Sequence, residues 1–328
     1  MTTWINRAYN KVWIKNITNK LGYDATEIEA LKLEASGREY YRLHLNNKES
    51  LVLCYLDPAL GSHKKFVRLS EFLQRENIPS PKIISHDLEI GVTVQQDLGD
   101  EALIDIDMSK EASLDVLDDA ISILPKLQQA MIPQLSSLDS SLLSNQMDMM
   151  KEFFLDRFLK ISLESELDDL RDEALEKLED QPWMNCHFDF ERRNLHYNKD
   201  KQLCIIDFQD LTHGPIGIDL AGIFIDHYYP IHKKEILNKL DLYNKISNLD
   251  VSSLDTYEWL RWGGIQRGMR ILGTLPYIYF NSGRSYRLKD LPQILDNFIE
   301  ILPNHYASLK SELRNNVKPE MVSRINQL

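Results

Sequence analysis

Apolar residues take every second position between Tyr40 and Leu45. This period of two predicts a half-buried β-strand. Asn46-Asn47 then supplies a turn signal, and the apolar run from Leu51 to Leu56 ends at Asp57-Pro58. The two segments together predict a β-hairpin. A short helix around Phe66–Leu73 and two further strands, near 82–86 and 92–96, complete a strand-rich first region.

A helical pattern begins after Asp100, where apolar residues recur every three or four positions. Three such stripes are Leu114-Leu117-Ile121-Leu124, Phe153-Phe154-Phe158-Ile161 and Leu163-Leu167-Leu170-Ala174. Helical signals resume at Ile218 and continue to the end of the sequence. The pattern predicts an α+β protein with a small β-rich lobe over residues 1–97 and a large, mainly helical lobe over residues 98–328.

The net charge of the chain argues against one class of partner, nucleic acids. The chain has 328 residues and a net charge of −12, and nucleic-acid binding generally needs a basic surface. The longest apolar run in the first half is too short to cross a bilayer, and the first 16 residues lack the apolar core of a secretory signal. Cys54, Cys186 and Cys204 show no metal-binding spacing. We therefore expect a cytoplasmic protein that binds neither nucleic acid nor a membrane.

Two clusters of polar residues flank a short apolar strand in the middle of the chain. The first has the pattern His-x-Asp-x₄-Asn, formed by His187, Asp189 and Asn194. The second is Asp207, which follows the apolar residues Ile205 and Ile206. Phosphoryl transfer needs a carboxylate that orients the acceptor hydroxyl and oxygen ligands that hold Mg²⁺. Asp189 suits the first task, Asn194 and Asp207 suit the second, and His187 would brace the loop.

These motifs resemble the aminoglycoside phosphotransferase-like small-molecule kinases, which are distant relatives of protein kinases. The similarity extends over nearly the whole chain and is greatest to one branch, the kinases that phosphorylate the anomeric 1-hydroxyl of N-acetylmuramate and N-acetylglucosamine. Four stretches carry it: 35–42, 96–100, 186–224 and 259–291. The resemblance implies a bilobal protein-kinase-like fold with an antiparallel-sheet N-lobe and a helical C-lobe.

The resemblance also implies roles for individual residues. Asp189 would be the catalytic base, and Asn194 and Asp207 would bind Mg²⁺. Asp219 would cap a helix and receive hydrogen bonds from the catalytic loop. Apart from the resemblance, Arg267 is a candidate contact of the acceptor, because arginine is rarely buried without a partner. A loop formed by Ser36, Gly37 and Arg38 would cover the nucleotide phosphates. A hinge segment that contains Gln96, Asp97 and Leu98 would form backbone hydrogen bonds with the adenine.

One departure from the family concerns the third strand. Most relatives place a lysine there against the nucleotide phosphates, whereas residues 51–56 contain none. The sugar-kinase branch also tends to lack this lysine. Arg38, Arg42 and Lys64 are the candidate replacements, and the sequence leaves the choice among them open.

The sequence therefore predicts a kinase that uses ATP or GTP with Mg²⁺ and phosphorylates a small hydroxyl compound, with an amino sugar in cell-wall recycling as the favoured acceptor. Two alternatives stay open. One is a kinase for another small hydroxyl compound, such as an aminoglycoside, choline or homoserine. The other is a nucleotide-binding pseudokinase, against which the presence of Asp189, Asn194 and Asp207 argues.

Overall fold

The computed structural model describes residues 12–31, 37–108, 115–163, 165–225, 227 and 229–328. The chain forms two compact units. The first comprises the described residues of Met1–Leu103 together with Leu195–Gln209, and the second comprises those of Ile104–Asn194 together with Asp210–Leu328.

The first unit contains a five-stranded antiparallel sheet, whose strands are β1 (Ala25–Ala30), β2 (Glu39–Leu45), β3 (Ser50–Tyr55), β4 (Ile83–Asp87) and β5 (Val92–Gln96). Their order in the sheet is β1-β2-β3-β5-β4. Tyr40 pairs with Cys54, and Cys54 pairs in turn with Thr93. Because directly paired residues point to the same side of a sheet, these three side chains share one face.

The opposite face of this sheet forms a hydrophobic core. Tyr41, Leu43 and Leu53 are buried there against Ile14 and Ile17 of a helical segment at residues 12–20. The alternation that predicts β2 from the sequence is the alternation between these two faces. The apolar pattern of the sequence also predicts a helix over residues 4–13. Residues 4–11 of this stretch lie outside the described residues.

A hairpin from the middle of the chain belongs to the first unit. Its strands are β7 (Leu195–Tyr197) and β8 (Leu203–Ile205), and the helix α1 (Lys64–Arg75) belongs to the same unit. The Ile205 N–H donates to Pro79 O at 2.9 Å, and the Tyr197 N–H donates to Glu101 O at 2.8 Å. These bonds attach the hairpin to residues before Leu103, so the compact units divide the chain differently from a single boundary at residue 97. The functional lobes 1–97 and 98–328 stay a prediction.

The second unit is mainly helical. A two-stranded sheet pairs β6 (Trp183–Cys186) with β9 (Thr212–Pro215). The α-helices are α2 (Val116–Gln129), α3 (Ser140–Met149), α4 (Ser165–Glu179), α5 (Gly217–Phe224), α6 (Lys233–Ser247), α7 (Ser253–Ser282), α8 (Leu291–Ile301), α9 (Ala307–Glu312) and α10 (Lys318–Asn326). Their largest core packs α3 and α4 around α7 and α8. Helix α7 begins with a capping box between Ser252 and Asp255.

Helices α5 and α7 meet at the level of their backbones. A Cβ atom on Gly263 would lie 2.1 Å from the carbonyl carbon of Gly217, and one on Gly217 would lie 2.0 Å from Trp259 O. Gly222 has a similar role further along α5, where a Cβ would lie 2.4 Å from Phe190 O. Glycine is therefore required at these three positions, where α5 meets α7 and the loop that contains Phe190.

The α+β prediction is confirmed, with an antiparallel sheet in one unit and helices in most of the other. The expectation of one regular helical stripe from Phe153 to Ile161 is wrong, because residues Met150–Leu159 form a π-helix that ends before Ile161. A π-helix has hydrogen bonds from residue i to residue i+5 and therefore a wider turn than the α-helix that the stripe assumes. Of the stripe that starts at Leu114, that first residue lies outside the described residues. No helix within the described residues is long and apolar enough to cross a membrane.

Candidate active site

The loop that follows β6 carries Asp189, and its carboxylate is bound from one side by two arginines. Arg267 Nη1 donates to Asp189 Oδ1 at 2.8 Å, and Arg270 Nη2 donates to the same oxygen at 2.9 Å. No described residue donates a hydrogen bond to the second oxygen, Oδ2. The Asp189 side chain is 42% exposed. One oxygen is thus anchored, and the other is free to accept a proton or a hydrogen bond.

The charges around Asp189 favour its ionised form. Burial alone raises the pKa of this carboxyl, but the guanidinium groups of Arg270 and Arg267 hold it well below its usual range. Arg267 is itself buried, with its side chain only 3% exposed, and its Nη2 donates to Glu191 Oε2 at 2.6 Å. Both terminal nitrogens of Arg267 therefore bind the protein's own carboxylates, and its predicted contact with the acceptor stays a prediction.

The backbone of this loop is held in an unusual conformation. Phe188 has a φ of +75°, which non-glycine residues seldom adopt and which costs on the order of 1–3 kcal/mol. Asp219 binds the loop from α5, since its Oδ2 accepts from the His187 N–H at 2.6 Å and its Oδ1 from the Phe188 N–H at 2.8 Å. These two bonds, together with the contacts of Arg267 and Arg270 to the Phe188 carbonyl, offset the cost of this conformation.

Asp219 is fully buried, and burial raises its pKa, an effect that His187 and the two N–H donors reduce. The sequence predicts this residue as a helix cap, but the N-cap position of α5 is Ile216 and Asp219 lies in the first turn. Its carboxylate serves the neighbouring loop rather than the N–H groups of its own helix.

His187 and Asn194 lie on either side of Asp189 in this loop. His187 is buried, and its ring meets that of Phe190 edge-on at a centroid distance of 6.1 Å. Asn194 ends a short 3₁₀-helix, and its Nδ2 donates to Asp189 O at 2.9 Å. Because the amide nitrogen is engaged, the Asn194 side-chain oxygen is the atom left to bind a cation.

Asp207 belongs to the first unit and lies two residues after the end of β8. Its φ is +59°, in the left-handed region, and Gln209 Nε2 donates to its Oδ1 at 2.6 Å. The next residue, Phe208, is fully buried and stacks on Phe66 of α1 with 4.8 Å between ring centroids. The aromatic stack thus fixes the chain on one side of Asp207. Backbone strain of this kind concentrates at functional sites.

The residues predicted to bind nucleotide phosphates fall partly outside the described chain. Ser36 lies outside it, whereas Gly37 has a φ of +71° and leads directly into β2. The Arg38 Nε is buried and has no hydrogen-bond partner among the described residues. Arg38 immediately precedes β2 and stands two positions before Tyr40, which shares a sheet face with Cys54.

Arg38 and Asp207 both affect the pKa values of Tyr40 and Cys54. Burial raises the pKa of the Cys54 thiol to about 12, Arg38 opposes this rise, and Asp207 adds to it. The pKa of Tyr40 is likewise raised by burial, with a further rise from Asp207 and a reduction from Arg38. Within the first unit, the Arg38 guanidinium and the Asp207 carboxylate therefore both lie close enough to Tyr40 and Cys54 to shift their pKa values.

The segment Gln96–Leu98, predicted as the adenine hinge, directly continues β5. Asp97 accepts from Arg42 Nε at 2.8 Å and from the Gly99 N–H at 3.0 Å. Burial opposes ionisation of Asp97, but hydrogen bonds from Ser50, Gly99 and Arg42 lower its pKa below the usual value. The Asp97 side chain therefore shapes the turn after β5, Leu98 is buried, and Gln96 is exposed.

The three cations that the sequence offers as replacements for the strand lysine have different surroundings. Arg42 is held by Asp97 and, at 2.7 Å, by Asp100. Lys64 is exposed at the start of α1. Arg38 is half-buried and free of any carboxylate partner among the described residues. Arg38 is thus the candidate best placed to receive an anion.

Sequence reasoning missed Arg270, Glu191 and the conformation of Phe188. The spacing of Arg267 and Arg270 is a usable signal, because residues three apart lie on the same side of a helix. The described residues contain no group of three or more His, Cys, Asp or Glu side chains that could hold a metal ion. The roles of Asn194 and Asp207 as Mg²⁺ ligands stay predictions.

The geometry can be compared with known proteins. Residues 27–251 match the APH phosphotransferase enzyme family. The chain belongs to this family. Membership confirms the resemblance predicted from the His-x-Asp-x₄-Asn motif, and with it the prediction of an enzyme of the phosphotransferase class.

Two curated relatives carry the same name. The N-acetylmuramate/N-acetylglucosamine kinase of Neisseria meningitidis serogroup B is 24% identical over 315 residues, which cover 91% of this chain and 91% of the relative. The protein of that name from Pseudomonas aeruginosa is 26% identical over 274 residues, which cover 79% of each chain. The predicted resemblance to this branch is confirmed.

A solved structure supports the fold. The spectinomycin phosphotransferase crystallised with ADP and spectinomycin aligns with a TM-score of 0.58 over 96% of this chain and 98% of its own. Its sequence is 13% identical, so the comparison speaks for the protein-kinase-like fold alone.

Proposed function

We propose that this protein is an ATP-dependent sugar kinase that phosphorylates the anomeric hydroxyl of N-acetylmuramate or N-acetylglucosamine. The observation that carries the proposal is the Asp189 carboxylate, with Oδ1 anchored by two arginines and Oδ2 open, in a chain that belongs to the phosphotransferase enzyme family. Relatives named for both sugars match most of the chain and support the choice of acceptor.

In the proposed mechanism, Asp189 Oδ2 accepts a hydrogen bond from the acceptor hydroxyl and takes its proton late in the transfer. A carboxylate with a lowered pKa is a weak base. It is adequate here because phosphoryl transfer has a loose transition state, in which orientation contributes more than basicity. An anomeric hydroxyl is also more acidic than an ordinary alcohol, so it places a smaller demand on the base.

The nucleotide is proposed to bind through residues of the first unit. Arg38 would contact the phosphates, aided by the Ser36–Gly37 backbone, and Gln96–Leu98 would offer backbone groups to the base. Asn194 and Asp207 are the proposed Mg²⁺ ligands, and their oxygen donors suit a hard cation. Bound Mg²⁺ would neutralise phosphate charge, while these residues hold it.

The charge next to Asp189 bears on the competing acceptors. Arg267 and Arg270 both contact this carboxylate, and Arg270 Cζ lies 4.3 Å from the centre of the Phe188 ring. The two guanidinium groups balance the charges of Asp189 and Glu191, so this cluster lacks the excess negative charge that would attract a cationic acceptor. Choline and aminoglycosides are cations, so this arrangement supports a neutral or anionic sugar instead. The pseudokinase alternative makes a different prediction, namely nucleotide binding without transfer.

A panel of acceptors with γ-labelled ATP and Mg²⁺ tests the proposal. It should include N-acetylmuramate, N-acetylglucosamine, their 1-O-methyl glycosides, choline and kanamycin. We expect labelling of the two free sugars and none of the methyl glycosides, because the reacting oxygen is blocked. The product should be an acid-labile glycosyl phosphate. Labelled methyl glycosides would move the reaction to another hydroxyl, and nucleotide binding without any product would favour a pseudokinase.

A further inference from the structure

Arg270 contacts three groups of the catalytic loop at once. Its Nη2 donates to Asp189 Oδ1 at 2.9 Å and lies 3.4 Å from Phe188 O, while its guanidinium carbon lies 4.3 Å from the centre of the Phe188 ring. Nothing in the sequence pattern of the loop indicates this residue, which lies about 80 positions further along the chain on α7.

The loop is held by α5 and α7 through different atoms. Asp219 of α5 accepts the backbone N–H groups of His187 and Phe188. Arg267 and Arg270 of α7 bind the Phe188 carbonyl and the Asp189 carboxylate. The backbone between these attachments has the left-handed φ of Phe188. A residue keeps a strained backbone conformation only where several surrounding contacts hold it in place. At Phe188, contacts from two helices supply this constraint.

We propose that Arg270 is a positioning residue: by holding the Phe188 ring and carbonyl together with Oδ1 of Asp189, it fixes the direction in which Oδ2 meets the acceptor hydroxyl. This inference rests on the proposed role of Asp189 as the base. An error of about 1 Å in such a group lowers the rate strongly, because transfer requires near-attack geometry. Arg270 acts through Asp189 and touches neither substrate in this scheme.

Arg267 and Arg270 differ in how they can be tested. Arg267 is buried and also binds Glu191, so its removal would take this partner from a largely buried carboxylate and would destabilise the fold. The side-chain hydrogen bonds of Arg270 all go to Phe188 and Asp189, and this side chain is 13% exposed. Arg270 is therefore the residue at which positioning can be separated from folding.

Helix α7 also provides a matched control. Arg261 has a carboxylate partner, Glu258, at 2.7 Å, and its guanidinium carbon lies 5.5 Å from the Tyr257 ring. It thus shares with Arg270 the residue type, the helix, an ion pair and an aromatic contact. None of its hydrogen bonds reaches the catalytic loop. Arg261→Gln should leave kcat and both KM values within about twofold of the wild type.

The experiment compares Arg270→Gln, Arg270→Lys and Arg261→Gln in ATP-dependent phosphorylation of N-acetylglucosamine and N-acetylmuramate. We expect Arg270→Gln to lower kcat at least about tenfold, while both KM values change less than about threefold. Arg270→Lys should recover only a fraction of the loss, because an ammonium keeps the charge but lacks the planar fork that binds the carboxylate and stacks on Phe188. Thermal melting of each variant gives its folded fraction.

A double-mutant cycle shows whether Arg270 acts through Asp189. In an Asp189→Asn background, Arg270→Gln should lower kcat by less than about twofold, because the group that it positions has lost its function. Full additivity of the two losses would overturn the proposal. So would a normal kcat in Arg270→Gln, a loss that matches the unfolded fraction, or a rise in acceptor KM alone, which would indicate direct contact with the sugar.

Failure of the proposed function gives a different result. If the wild-type protein phosphorylates no acceptor in the panel, the proposed role of Asp189 as the base is overturned. The positioning role of Arg270 is then overturned as well. If the wild type is active and Asp189→Asn is not, while Arg270→Gln is fully active, only the positioning role is overturned.

Discussion

An arginine–carboxylate cluster occurs in each unit, and the two clusters differ in how completely the carboxylate is used. In the first unit, Arg42 and the Gly99 N–H occupy both oxygens of Asp97. In the second, Arg267 and Arg270 bind one oxygen of Asp189 and leave the other open. A carboxylate with both oxygens engaged stabilises a turn, whereas one with a single oxygen engaged is oriented and still available for chemistry.

The largest effect that tests this comparison is expected at Asp189. Asp189→Asn keeps the shape of the side chain but removes its capacity to accept a proton, so turnover should fall at least about a hundredfold. Nucleotide affinity should persist, because the proposed nucleotide contacts lie in the first unit. Steady-state kinetics and calorimetric titration with ATP measure the two quantities. Near-normal turnover would remove Asp189 from its assigned role.

The second prediction concerns Asp97, for which the comparison implies a loss of stability rather than of catalysis. Asp97→Ala removes a buried partner of Arg42 and should lower the free energy of unfolding by about 2 kcal/mol, with kcat reduced less than about threefold. Chemical denaturation followed by fluorescence, together with steady-state kinetics, checks this.

Asp100→Ala is the matched control, because Asp100 binds the same arginine but its side chain is 83% exposed. An exposed ion pair contributes less than about 1 kcal/mol, so this variant should change stability little. Equal destabilisation by both variants, or a catalytic loss confined to Asp97→Ala, would contradict the contrast between the two clusters.

The third prediction concerns Arg38, an arginine to which no described carboxylate is paired. Arg38→Gln should raise the KM for ATP about tenfold and leave the acceptor KM unchanged, as expected for one charge-assisted bond to a phosphate. Lys64→Gln, at an exposed position, should change neither value by more than about twofold. Calorimetry with ATP and with adenosine sharpens the test, since the affinity for adenosine should not depend on Arg38.

The sequence predicts much of this molecule where the signal is local. The alternation around Tyr41 and Leu43 comes directly from burial on one face of β2, so the strand could be predicted from it. The His-x-Asp-x₄-Asn motif lies within one loop, and its short spacing is preserved in the structure as the bond from Asn194 Nδ2 to Asp189 O.

The features that escaped prediction depend on distant regions of the chain. Arg270 reaches Asp189 through the folding of α7 against the catalytic loop, and the local sequence around Asp189 gives no sign of that contact. The π-helix at Met150–Leu159 retains apolar residues at spacings compatible with an α-helix, so periodicity alone cannot distinguish the two. The choice among Arg38, Arg42 and Lys64 likewise depends on which carboxylates lie nearby in space.

The backbone contact between Gly217 and Gly263 has a consequence for how such an enzyme can be altered. Gly263 lies about one helical turn before Arg267 on α7, so any side chain added there would push apart the helices that hold the catalytic loop. Laboratory evolution toward new acceptors should therefore leave this pair of glycines untouched. Libraries that vary other positions can change which sugar is accepted, while the glycine pair keeps the alignment on which every acceptor depends.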